Sequence, residues 1–313
     1  MLTSLLALSV MAPSVSECRL GVHFLDDRYT LGARRLVQAG PRVLKLFDLG
    51  SGMREALRDY KTRWPDGTVV VRIWLQRKWG RSDNPEEAGR AFWREILKPR
   101  FQSLSEQERA WIDYWEGPNE GDSTPTWETL DDARWFARFT VAFVREMSEN
   151  GARPLVGNIA VGNPGGSPEE FAAKVEAFLP ALEAAAKARG AWSYHAYTLD
   201  YSTDPEKESW TSLRYRRILQ VIRRKRPDLA RLPLVLTEAG VDRAGNSHED
   251  GWVSRGSADD YERWLRWFDA ELRKDPSVVG ATLFANGGFE SWPSFELEAF
   301  LPRLTRMVEE GRR

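Results

Sequence analysis

The sequence of 313 residues contains one cysteine, Cys18, and three histidines. A single cysteine cannot form an internal disulfide or a cysteine-rich zinc site, which excludes the small disulfide-stabilised and zinc-finger classes. The formal net charge is -1, and acidic and basic residues alternate along the whole chain. This pattern offers no basic face for nucleic acid and no polybasic patch for a membrane surface.

Long apolar runs are also lacking, since no stretch beyond the N-terminus approaches the length that a membrane-spanning helix needs. The opening letters "LTSLLALSVMAPS" resemble a signal-peptide core, but no Lys or Arg precedes them. We therefore divide the chain into residues 1–17, an N-terminal extension or signal-like segment, and residues 18–313, a single domain. The localisation stays open between secreted and cytoplasmic.

Short apolar runs alternate with helical periodicity along the remainder of the chain. Eight runs predict strands, at residues 19–24, 42–47, 68–74, 111–117, 153–159, 191–196, 233–239 and 278–284. Continuous apolar strands separated by helices indicate a parallel sheet that is covered on both faces. Eight such units, with no glycine-rich phosphate loop after the first strand, predict a (β/α)8 TIM barrel rather than a doubly wound sheet.

The segment from Ser167 to Gly190 shows the helix signals well. Ser167 is a capping residue, Pro168 suits the first turn, and Gly190 suits the end. Pro180 lies inside this segment and predicts a kink or a break.

In a barrel of this kind, the carboxyl ends of the strands meet at a common site. Two carboxylates, Glu120 and Glu238, follow or end the apolar runs of strands four and seven, where a carboxylate is costly unless it is hydrogen-bonded or used. A lone glutamate there is more often a loop anchor, but two together fit glycosidic hydrolysis, which needs one carboxylic acid and one carboxylate. The polar residues expected at the strand ends are His23, Lys45, Asp48, Arg72, Glu116, Asn119, Glu120, Asn158, His195, Tyr197, Glu238 and Asn286.

These motifs resemble those of the retaining glycoside hydrolases of clan A, the four-seven (β/α)8 superfamily. Asn119-Glu120 matches the Asn-Glu pair that ends strand four there, Glu238 in "LVLTEAG" matches the glutamate of strand seven, and "WSYHAY" is similar to strand six. The form "EGPNE" is most similar to families 39 and 5. The resemblance covers residues 19 to 300, and its specificity comes from these short motifs.

The resemblance implies a role for each matching residue. Glu120 would be the acid and base, Glu238 would be the nucleophile, and Asn119 would contact the sugar 2-hydroxyl. His195 and Tyr197 would lie close to the nucleophile. The expected partner is a carbohydrate, with no metal or organic cofactor.

Several neighbouring residues are expected to support the nucleophile Glu238. Tyr197 is expected to donate a hydrogen bond to it, and Arg72 or Lys45 to lower its pKa by charge. A structural ion pair is an equal alternative for Arg72. Glu116 is interpreted as a structural anchor that pairs with Arg72 or Lys45.

Aromatic residues give a further indication, since sugar rings stack on indole. Of the fourteen tryptophans, Trp79, Trp127, Trp252 and Trp292 fall in loops that are predicted to face the site. The clan commonly ends strand eight with Trp, where this sequence has Phe284, and Trp292 is the candidate substitute.

Two other functions remain open from the sequence. One is a metal-dependent barrel hydrolase, for which the three histidines form no close pair in sequence. The other is a catalytically silent barrel that binds glycans or a partner protein. The sugar, the linkage and the oligomeric state are not determined by these patterns.

Overall fold

A computed structural model describes residues 14–312, which form a closed barrel of eight parallel strands in sequential order. Strand β8 pairs with β1 and closes the barrel. The strands are β1 (Leu20–Phe24), β2 (Val43–Phe47), β3 (Thr68–Arg72), β4 (Tyr114–Glu116), β5 (Pro154–Ile159), β6 (Ala191–Thr198), β7 (Leu234–Val241) and β8 (Val278–Asn286). The predicted (β/α)8 TIM barrel is confirmed.

Helices cover the outside of the barrel between successive strands. They are α1 (Leu31–Ala39), α2 (Ser51–Arg63), α3 (Pro85–Ala91), α4 (Lys98–Ser103), α5 (Glu106–Trp111), α6 (Leu130–Glu149), α7 (Pro168–Lys187), α8 (Pro205–Glu208), α9 (Tyr215–Lys225), α10 (Trp252–Arg255), α11 (Ala258–Leu272) and α12 (Leu301–Glu310). Capping boxes begin α5, α6, α7 and α11, each with a Ser or Thr side chain and an acidic residue three positions later. The start of each of these helices is therefore fixed by local sequence.

Two local expectations need correction. Of the kink or break expected at Pro180, the break is wrong: α7 continues through Pro180, because the helix buries Phe178, Ala181 and Leu182 and packing holds the turns on either side. Strand β4 is shorter than expected, since α5 extends to Trp111.

Residues 14–17 pack against the barrel domain. The Ser16 hydroxyl donates to the Val308 carbonyl at 2.6 Å, and the Ser16 amide donates to the Gly40 carbonyl at 2.9 Å. Most of the signal-like segment, residues 1–13, lies outside the described residues.

Within residues 14–312, no helix is both long enough and apolar enough to span a membrane.

The barrel interior changes from apolar to charged along the strands. Its apolar layer consists of Val43, Val70, Tyr114, Leu155, Ala191 and Val235. Strand side chains alternate between the two faces of a sheet, so the residues two positions further on point into the same interior. Three of those positions are Lys45, Arg72 and Glu116, which places a layer of charge directly above the apolar layer.

Candidate active site

The two carboxylates singled out in the sequence meet at the carboxyl ends of the strands. A carboxylate oxygen of Glu120, one of Glu238 and a ring nitrogen of His195 lie within 4.8 Å of one another. Both glutamates line a cleft of about 350 Å³. Residues separated by more than one hundred positions are thus brought together by the barrel.

The loop after β4 presents Glu120 to the cleft. Glu120 adopts a left-handed backbone conformation, with φ 42°. The side-chain amide of Asn158 donates to the carbonyls of Gly117 and Pro118 at 2.8 and 2.9 Å. Asn158 is buried and holds the turn that precedes the acid, rather than lining the cleft. Asn119 lines the cleft beside Glu120.

Glu238 lies at the centre of a buried polar network. The expected hydrogen bond from the Tyr197 phenol reaches Oε2 at 3.0 Å, and Lys45 Nζ and Arg72 Nη1 each lie 3.2 Å from Oε1. Burial alone would raise the pKa of Glu238, but the charges of His195 and Lys45 outweigh it and hold the pKa well below its ordinary value. Glu238 is therefore an ionised carboxylate at neutral pH.

Glu116 forms the ion pair that the sequence suggested. Its Oε2 lies 2.8 Å from Lys45 Nζ, and both side chains are fully buried. Lys45 therefore stands between two carboxylates, Glu116 on β4 and Glu238 on β7.

The pKa values of the two buried histidines are shifted in opposite directions. His195 Nδ1 lies 2.6 Å from Glu120 Oε1; burial would lower the pKa of His195, but the Glu238 charge and this hydrogen bond raise it. His23 Nδ1 lies 3.8 Å from Glu238 Oε1, and burial together with the Lys45 charge holds the pKa of His23 well below its ordinary value. Although they are distant in sequence, both rings flank the same carboxylate.

Aromatic side chains form the walls of the cleft. Its apolar lining consists of Leu25, Phe47, Trp74, Phe284, Trp292 and Phe295. Trp292 packs edge-on against Phe284, with ring centroids 5.3 Å apart, and both side chains line the cleft. Trp74 packs edge-on against Phe47, with ring centroids 6.2 Å apart, and remains 54% exposed.

Trp252, Trp79 and Trp127 are corrections to the sequence prediction. Trp252 is buried: it stacks on Tyr261 with ring centroids 5.6 Å apart and donates from Nε1 to the Glu296 carbonyl at 2.9 Å. Trp79 and Trp127 are also buried in the hydrophobic core. These loops fold back onto the helices, where a large aromatic side chain loses its contact with water.

The cleft is also lined by four residues that were not predicted from the sequence, Phe47, Trp74, Asp122 and Asp242. Trp74 had been assigned to strand three, but β3 ends at Arg72. A second groove of about 460 Å³ shares Trp74 and Asp122 with the cleft. Because β3 ends at Arg72, Trp74 lies in the loop just beyond the strand end and faces the site.

Comparison with solved structures supports the fold. The chain is similar to XacCel5A in complex with cellopentaose, with a TM-score of 0.51, 15% identity and coverage of 92% of this chain and 99% of that one. It is similar to PbGH5A, a glycoside hydrolase family 5 enzyme from Prevotella bryantii B14, with a TM-score of 0.51, 10% identity and coverage of 96% and 99%. Identities this low establish a shared barrel fold.

A third similar structure is the bacterial orthologue of human α-L-iduronidase, with a TM-score of 0.52 and 13% identity. The match covers 91% of this chain but only 52% of that one. No protein-family model matches the sequence, and comparison with curated proteins gives no match.

Proposed function

We propose that this protein is a retaining glycoside hydrolase that cleaves a β-linked oligosaccharide or polysaccharide. The observation that carries the proposal is the approach of Glu120 and Glu238, whose carboxylate oxygens lie within 4.8 Å across the cleft. Retaining enzymes hold their two carboxyl groups about 5 to 5.5 Å apart, whereas inverting enzymes need about 6.5 to 9.5 Å to admit a water molecule. The separation favours direct attack by one carboxylate.

In the first step, an oxygen of Glu238 attacks the anomeric carbon and forms a glycosyl ester. The bond to the leaving oxygen breaks, and that oxygen takes the proton of Glu120. Glu238 suits attack because its network keeps it ionised. Glu120 suits the role of proton donor because 30% of its side chain is accessible at the cleft and it forms a hydrogen bond with His195.

In the second step, Glu120 as carboxylate takes a proton from water, and the water oxygen attacks the anomeric carbon. The ester bond breaks and the Glu238 carboxylate is regenerated. Two inversions at one carbon give net retention. Asn119, which lines the cleft next to the acid, would hydrogen-bond the sugar.

The shape of the surface favours an extended substrate. Trp74 lines both the catalytic cleft and the neighbouring groove, so a chain of sugars can cross from one to the other over an exposed indole. The similar structure of XacCel5A contains cellopentaose, a linear oligosaccharide. We therefore infer a substrate longer than a disaccharide.

A metal-dependent hydrolase is the alternative that one observation favours, since Glu120, His195 and Glu238 form a set of donors that could hold a cation. However, Lys45 and Arg72 already lie 3.2 Å from Glu238 and neutralise it. A divalent cation would face both positive charges, which disfavours its binding.

The experiment is a panel of aryl glycosides, with and without a chelator, tested on the wild type and on Glu238→Ala and Glu120→Ala. Azide should rescue the Glu238 variant as the inverted glycosyl azide and the Glu120 variant as the retained one. Glu310→Ala is the matched control, because Glu310 is an exposed glutamate on α12. Full activity in Glu238→Ala would refute the mechanism, and loss of wild-type activity with chelator would favour the metal enzyme. Sugar binding by the wild type without turnover would favour a silent barrel.

A further inference from the structure

The proposed mechanism gives no role to the most deeply buried carboxylate of the site. Glu116 is fully buried, and Lys45 Nζ, at 2.8 Å, is the one cationic group within 4.0 Å of it among residues 14–312. An isolated buried carboxylate is strongly unfavourable, and so is an isolated buried ammonium. Glu116 and Lys45 therefore stabilise each other as a buried ion pair. Lys45 also lies beside the nucleophile Glu238, so Glu116 is a second carboxylate next to the same cation.

The charges around Lys45 change during the covalent step. In the free enzyme, Lys45 faces Glu238 at 3.2 Å and Glu116 at 2.8 Å. When Glu238 becomes a glycosyl ester, its negative charge is lost from this layer, while the proton given up by Glu120 leaves a new negative charge at the cleft. Lys45 is fully buried and cannot turn to water for compensation.

We propose that Glu116 is the counterion that keeps Lys45 charged while the nucleophile is esterified. This inference rests on the proposed function, because it concerns the covalent intermediate of that reaction. Arg72 does not need such a partner to the same degree, since 13% of its side chain is exposed and it lines the cleft. Glu116 thereby acts through Lys45 as a positioning residue and does not touch the substrate.

The kinetic consequence has a definite sign. In Glu116→Gln the free enzyme still pairs Lys45 with Glu238, whereas the intermediate leaves a buried ammonium without a counterion. Formation of the glycosyl-enzyme should slow and its hydrolysis should accelerate, each by roughly tenfold. Damage to the site by misfolding would slow both steps.

The loss of the negative charge of Glu238 can also be produced by mutation, without any substrate. Glu238→Gln removes the negative charge of the nucleophile as esterification does, so Glu116 becomes the sole counterion of Lys45. A double-mutant cycle by urea unfolding compares Glu116→Gln, Glu238→Gln and the two together. Each variant should raise the unfolding equilibrium constant by some factor relative to the wild type. The factor for the double variant should exceed the product of the factors for the two single variants by about tenfold or more.

Lys45→Met supplies the matched control, because it removes the cation that needs compensation. Added to the double variant, Lys45→Met should restore much of the lost stability and should restore folding if the double variant fails to fold. Additive effects in the cycle, or no rescue by Lys45→Met, would overturn the inference.

The kinetic experiment uses 2-deoxy-2-fluoro aryl glycosides, which trap the glycosyl-enzyme. Mass spectrometry of the intact protein measures the rate at which the adduct forms and the rate at which it is lost on reactivation. If the wild type forms no adduct with any of these sugars, the proposed function fails. The unfolding cycle still decides whether Glu116 and Glu238 share Lys45 as a common cation. If adducts form but Glu116→Gln slows formation and reactivation alike, the role of Glu116 in the covalent step is refuted.

Discussion

Replacement of Tyr197 by Phe tests the electrostatic control of the nucleophile. The phenol donates to Glu238 Oε2 at 3.0 Å within a fully buried network. Burial and the Glu238 charge hold the pKa of Tyr197 well above its ordinary value, so the phenol remains a donor at every pH used for assay. A hydrogen bond to a charged group contributes about 1.5 to 3 kcal/mol.

Loss of that hydrogen bond in Tyr197→Phe removes stabilisation from the ionised form of Glu238 only. Because one pKa unit corresponds to about 1.4 kcal/mol, the pKa of Glu238 should rise by about one to two units. Attack requires the carboxylate, so the acid limb of kcat/KM should move to higher pH by the same amount. In the wild type this limb should lie well below pH 4.5, the ordinary pKa of a glutamate.

The assay is the pH profile of kcat/KM for the aryl glycoside that the panel identifies, measured for the wild type and for Tyr197→Phe. Carbon-13 NMR titration of labelled glutamate carboxyl groups gives the same pKa directly, with Glu238→Gln to assign the signal. Tyr29→Phe is the control, since the phenol of Tyr29 lies outside the cleft. An acid limb and a carboxyl pKa unchanged in Tyr197→Phe would refute this account of how Glu238 is kept ionised.

Three further predictions concern the histidine beside the proposed acid, the exposed Trp74 at the cleft and an ion pair that stabilises the fold. His195→Asn should move the basic limb of kcat/KM to lower pH, because the pKa of His195 is raised in the wild type and its Nδ1 lies 2.6 Å from Oε1 of the proposed acid, Glu120. Trp74→Ala should raise KM for an oligosaccharide by about two- to tenfold with little change for a short aryl glycoside, whereas Trp210→Ala, at an equally exposed indole outside the cleft, should change neither. Arg54→Met should lower the free energy of unfolding by about 1 to 2 kcal/mol in urea at pH 7, since it breaks two 2.7 Å bonds to Glu108. The Arg54 guanidinium, together with hydrogen bonds from Ser105, lowers the pKa of Glu108 from 4.5 to about 2, so this loss should shrink as the pH falls from 4.5 towards 2.

The strand-end residues could be predicted because barrel geometry and strand alternation act together. Side chains two positions apart on a strand share a face, so Lys45 follows Val43 into the interior and Glu116 follows Tyr114. An ion pair between Glu116 and either Lys45 or Arg72 was expected from the sequence, and strand alternation explains why these side chains meet. Which cation each acid would select depended on the register between β2, β3 and β4, and no local pattern encodes that register.

The tryptophans were harder to assign to the site than the charged residues, because burial in the core also stabilises an aromatic side chain. A buried charge is costly without a partner or a function. This narrows the interpretation of Glu238, whereas Glu120 is partly exposed. An indole is satisfied by any apolar surface, so Trp252 can bury itself against Tyr261 as readily as it can face a sugar. The position of a charged side chain could therefore be predicted better than that of an indole, because burying a charge without a partner costs more free energy. Trp74, whose exposure costs little, could be placed only once the end of β3 was known.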